Sequence, residues 1–92
     1  MPKYLIEVSH PEDRLGCAKA IQLFLESGSH YLTHAEWGCG DDVHCGWMIV
    51  DAASREEVEQ ILPPGCREEA RIVRVRRFSP EEIGRILSEH EE

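Results

Sequence analysis

Between Ser29 and Asp51 the chain reads SHYLTHAEWGCGDDVHCGWMIVD, a stretch that holds His30, His34, His44, Cys39, Cys45, Trp37 and Trp47. Histidine and cysteine are ligands for transition metals, and histidine also moves protons near neutral pH. His34 and Glu36 lie two residues apart, on one side of a strand, and His44 follows across a turn. His34, Glu36 and His44 are therefore the candidate ligands of a divalent transition metal, with positions left over for water or substrate. On opposed strands Cβ atoms stand about 5 Å apart and same-face neighbours about 7 Å apart, within reach of one ion. The same three residues are the candidate catalytic groups, His34 or His44 as general base and Glu36 or Glu7 as orienting carboxylate. The plainer reading is that they hydrogen-bond one another across a sheet.

The stretch first suggests a Cys/His metal knuckle, but strand register divides it. Gly38 to Asp42 supply the residues of a tight reversal. A five-residue turn there opposes Trp37 to Val43, Glu36 to His44 and Thr33 to Trp47. One face of the hairpin then carries Tyr31, Thr33, Ala35, Trp37, Val43, Cys45, Trp47 and Ile49. The other carries His30, Leu32, His34, Glu36, His44, Gly46, Met48 and Val50. The first set is mostly apolar and is expected to face the core, with both tryptophans as packing. Cys39 in the turn and Cys45 on the core side then make a poor chelate, and Cys39 is the one thiol expected to be accessible. Cys17 reads as a small core residue on a helix stripe, His10 as an exposed residue at a helix N-cap, and Cys66 has no assigned role.

The positioning elements follow from periodicity. KYLIEVS alternates, with Tyr4, Ile6 and Val8 on one side, as in a half-buried strand. A helix is expected from Pro11 to Ser27, with Leu15, Cys17, Ala18, Ile21, Phe24 and Leu25 at helical steps and Gly28 as the stop. Strands are expected near His30 to Trp37 and Val43 to Val50. Ser54 and Glu57 form a capping box that opens a short helix ended by Pro63-Pro64-Gly65, ARIVRVRRF is a fourth strand, and Ser79 to Glu82 open a last helix.

The order β-α-β-β-α-β plus a C-terminal helix is the ferredoxin-like α+β arrangement: a single domain, a four-stranded antiparallel sheet and both helices on one face. In this order and alternation, from Tyr4 to Phe78, the chain resembles the dimeric α/β-barrel superfamily. That resemblance implies a homodimer whose open sheet faces press together around a pocket, as in cofactor-free monooxygenases, muconolactone-type isomerases and haem or metal binders. It carries over no catalytic residue. Glu7, Arg74 and Arg76, opposite the apolar residues of their strands, are expected to join the histidines on the open face, the arginines as an anion clamp for a small-molecule ligand.

Composition narrows the partners. Acids outnumber bases 18 to 10, a net charge of -8, which disfavours nucleic acid. The apolar runs are too short for a membrane span. MPKYLIEVSH lacks the apolar stretch of a signal peptide, so a cytoplasmic protein with free thiols is expected. Three functions compete: a small-molecule-binding barrel with a metal on its open face, a cofactor-free monooxygenase or isomerase with a histidine base, and a non-enzymatic regulatory or interaction module.

Overall fold

Alternation in the first strand sets the frame. In the computed structural model, which describes residues 1–90, β1 spans Lys3–Ser9 and turns Tyr4, Ile6 and Val8 inward, each 6% exposed or less. There follow α1 (Arg14–Glu26), a one-turn helix α2 (His30–Thr33), β2 (Glu36–Trp37), β3 (Cys45–Asp51), α3 (Arg55–Ile61), β4 (Ala70–Val75) and α4 (Pro80–Glu89). The strands form one antiparallel sheet in the order β2-β3-β1-β4, the ferredoxin-like order. Phe24 of α1, Leu32 of α2, and Val58 and Leu62 in and after α3 bury themselves against Tyr4, Ile6, Val8, Met48 and Val50. Helices α1, α2 and α3 therefore cover one face, and the other face is open.

Caps explain the helix boundaries. The expected start of the first helix at Pro11 moves to Arg14, because the Asp13 carboxylate accepts the Gly16 N–H at 2.7 Å and is the true N-cap. Ser54 caps α3 by accepting from Glu57 N–H. At α4 the full capping box forms: Ser79 Oγ accepts from Glu82 N–H, and the Glu82 carboxylate accepts from Ser79 N–H, both at 3.1 Å.

The hairpin differs most from expectation. His30 to Thr33 is helical where a strand was expected, because Gly28 ends α1 at φ 76 and the Ser29 hydroxyl then accepts the Leu32 N–H, starting a new turn. This turn drops Leu32, 1% exposed, into the core. The connection to β3 is also longer than five residues, running through a 3-10 turn at Cys39–Asp41. Trp37 consequently pairs with Gly46 and not Val43, and Glu36 with Trp47 and not His44.

That slip is three residues, an odd number, so every β3 side chain changes face. Met48 and Val50 are core residues, while Cys45, Trp47 and Ile49 lie on the open face. Gly46 is the physical reason. A Cβ there would stand 2.7 Å from Cε3 and Cζ3 of Trp37, so the indole lies directly over the bare backbone and meets Phe24 edge-on, with ring centroids 5.0 Å apart. Only this register places the tryptophan on a glycine.

On β4 the parity is again the reverse of expectation. Arg74 pairs with Tyr4 and shares the helix-covered side with Ile72, whereas Arg71, Val73 and Val75 pair with Glu7, Leu5 and Lys3 on the open face. Ile72, and not the valines, packs against the core. Among the described residues no helix is long and apolar enough to cross a membrane.

Candidate metal centre

His10, Cys17, Cys39 and His44 converge at the end of the β1–β3 pair, beside the connection between β2 and β3. One ligand atom from each, two imidazole nitrogens and two thiol sulfurs, lies within 4.8 Å of all the others. Each is half-buried. His10 immediately follows β1, Cys17 sits in the first turns of α1, Cys39 opens the 3-10 turn and His44 immediately precedes β3. The sheet holds the two histidines together: His10 N–H donates to the His44 carbonyl at 3.2 Å, and the two rings meet edge-on with centroids 5.7 Å apart. The αL residue Asp42, φ 59, turns the chain so that His44 comes back over α1.

The hydrogen bonds fix which nitrogen faces the cluster. His10 Nδ1 is 2.9 Å from the Pro11 carbonyl oxygen, which can only accept, so Nδ1 carries the proton and Nε2 presents a lone pair. That Nε2 is 3.0 Å from Cys39 Sγ and accepts its S–H. His44 Nε2 is 3.0 Å from Asp42 Oδ1 and donates to it, so Nδ1 presents the lone pair, 3.4 Å from Cys17 Sγ. Both imidazoles are thus oriented from behind, one by a backbone carbonyl and one by a carboxylate, as the outer partners of metal-bound histidines are.

Two thiols and two imidazoles could hold a metal ion as a Cys₂His₂ set, which for zinc is tetrahedral. Zn–S of about 2.3 Å and Zn–N of about 2.0 Å require ligand–ligand edges of about 3.3 to 3.8 Å. The His10–Cys39 and Cys17–His44 pairs stand at 3.0 and 3.4 Å. The widest separation, below 4.8 Å, closes with side-chain shifts of about 1 Å. Burial, followed by the neighbouring Cys39, pushes the Cys17 thiol above its ordinary pKa. A cation replacing the two thiol protons reverses that logic, since the ligand forms are thiolates.

The residues expected to act together are spread over the fold. His44 belongs to this cluster. His34 caps the end of α2, exposed, with Nδ1 2.7 Å from the His30 carbonyl oxygen, and its ring packs on His30 at 4.4 Å between centroids. Glu36 is exposed on the open face opposite Trp47. Glu7 lies there too, as expected, accepting from Trp47 Nε1–H at 3.0 Å. Arg74 is on the helix side, and Arg76, past the end of β4, stacks its guanidinium 3.7 Å over the Phe78 ring and donates to Glu82. Cys66 is half-buried away from the cluster, its thiol pushed up by burial and then by Glu69.

Taken alone, the sequence points three of the four cluster residues elsewhere: His10 to the surface, Cys17 to the core and Cys39 to a turn. Their paired spacing was the available signal: His10-x6-Cys17 at the start of the first helix and Cys39-x4-His44 in the hairpin connection. Neither spacing is a metal pattern alone, and only antiparallel β1–β3 pairing, Ser9 opposite Cys45, brings the two together.

Comparison with protein-family models, curated proteins and solved structures finds no match for the chain.

Proposed function

We propose that this protein is a metal-stapled interaction module, holding a zinc-type divalent ion between His10, Cys17, Cys39 and His44. The observation that supports this is the orientation of the two imidazoles, each with a lone pair directed at a thiol and its other nitrogen bonded to an acceptor. Soft thiolates with imidazoles favour zinc among the common divalent ions. Four protein donors close the coordination sphere, which is the character of a structural and not a catalytic site. The ion would join the end of β1 and the start of α1 to the connection between β2 and β3, which is irregular apart from one 3-10 turn.

The proton-transfer alternative has less support. His34 is exposed and bonded to backbone, and His44 is committed to Cys17 and Asp42. Protein purified without a histidine tag and titrated with Co(II) tests the proposal. Thiolate-to-cobalt charge-transfer absorption with tetrahedral d–d bands at one equivalent, displaced by Zn(II), is the expected result. These bands are to be lost in Cys17→Ser and His10→Ala and kept in Cys66→Ser. Failure to take up either ion, or uptake unchanged by those substitutions, overturns it.

A further inference from the structure

A second feature stands apart from the cysteines and histidines. At the β1–β4 end of the sheet a groove of about 1070 Å³ has an apolar floor of Met1, Ile49, Val75 and Phe78, with Lys3, Arg74, Arg76 and Arg77 also lining it. In a chain of net charge -8 this is a local concentration of cations. Among the described residues, Lys3, Arg74 and Arg77 make no ion pair within the chain.

The same chain carries an apolar surface with the opposite charge. In α4, Ile83, Ile86 and Leu87 fall at helical spacing on one side and are 41%, 45% and 62% exposed. Glu82 and Glu89 border that stripe next to Ile86, and Arg85 points away from it, 200° round the helix from Ile83 at 100° per residue. From Glu81 to the end, the sequence has five glutamates and one arginine. A helix of this pattern with its stripe in water leaves apolar area bare that folding normally covers.

We infer that α4 of a second copy of this chain occupies the groove, and that the two copies exchange helices about a two-fold axis. Size, charge and shape support this. A ten-residue helix is about 15 Å long and 10 Å across, on the order of 1200 Å³, close to the groove's 1070 Å³. Acids meet Lys3, Arg74 and Arg77, while Ile83, Ile86 and Leu87 meet Met1, Ile49 and Phe78. The radius of gyration is 16.7 Å, against about 12 Å for a compact chain of this length, and the long axis is 56 Å, as for a helix that extends from the body. The helix has little means of folding back on its own groove. Only Ser79 lies between Phe78, the last groove residue, and the first residue of α4, and the capping box and the Arg76–Glu82 bond set its direction. Exchange makes the contact twice, since the interface of a two-fold pair is isologous.

Sedimentation equilibrium of the full chain, with two variants, tests this. The helix variant is Ile86→Asp with Leu87→Asp, and the groove variant is Ile49→Asp with Arg77→Glu. The wild type is expected to dimerise, and each variant to dimerise at least about tenfold more weakly, as for loss of a central apolar anchor. An equimolar mixture of the two recovers part of the association, because the intact helix of one meets the intact groove of the other. Circular dichroism establishes that both variants fold. A monomeric wild type, a dimer indifferent to either variant, or a mixture no more associated than its components overturns the inference. A monomer that instead binds a small anion or another protein in the groove also overturns it. All changes lie away from His10, Cys17, Cys39 and His44, so Co(II) uptake by the variants is judged separately.

Discussion

The Asp42 carboxylate stands 3.0 Å from His44 Nε2, on a residue held in the left-handed region at φ 59. Asp42 is 97% exposed and His44 18%, so as an ion pair the contact is screened and stabilises little. Its consequence is orientation: it keeps the proton on Nε2 and directs the Nδ1 lone pair at Cys17. Asp42 thereby does two things that separate by mutation. Asp42→Gly removes the carboxylate and relieves the backbone, whereas Asp42→Ala removes the carboxylate and keeps an unfavourable φ. Both are expected to weaken Zn(II) affinity by about 10- to 100-fold. Competition with a chromophoric chelator measures that loss, and thermal unfolding should show the alanine variant less stable than the glycine one.

Gly46→Ala should destabilise the sheet. Its Cβ would meet Trp37 at 2.7 Å, and Trp37 cannot retreat because Phe24, 0% exposed, lies behind it. The expected loss is about 1–3 kcal/mol by urea denaturation, the usual cost of overpacking. Gly40→Ala is the control, since nothing lies within 4 Å of its added Cβ. Equal stability of the two variants would disprove this account of the β2–β3 register.

Acid should fray α4 before the rest of the fold. The Ser79 backbone N–H, and after it Arg76, hold the Glu82 carboxyl below its ordinary pKa. A carboxyl with a depressed folded pKa contributes stability that is present above the ordinary glutamate value, about 4.3, and is lost as pH falls through the lower folded value. Helical circular dichroism is therefore expected to fall in that acidic window. In Glu82→Gln, which keeps a capping acceptor without the charge, that pH dependence should be reduced. A pH profile identical in the two proteins would show that other carboxylates govern the helix.

Local chemistry in the sequence was enough for β1 and for the caps at Ser54 and Ser79. Each depends on residues within one turn or one alternation, such as Ser79 with Glu82 or Tyr4 with Ile6 and Val8. The hairpin could not be read this way. A period of two makes any odd slip exchange the faces, and the deciding interaction, Trp37 over Gly46 against Phe24, joins three separate segments. The ligand set followed the same logic. His34 and Glu36 are neighbours in sequence and a natural pair, but the Ser29 cap coils the chain up to His34 and leaves Glu36 on the open face without it. His10 and Cys17 lie far from Cys39 and His44 along the chain, and antiparallel pairing of β1 with β3, together with the placement of α1 and of the 3-10 turn, sets them within 4.8 Å. The sequence by itself determined which residue types were available and most of the elements they sit in, the first strand and the capped helices among them. The tertiary structure decided which of them meet, because register and crossover geometry depend on packing across the whole sheet.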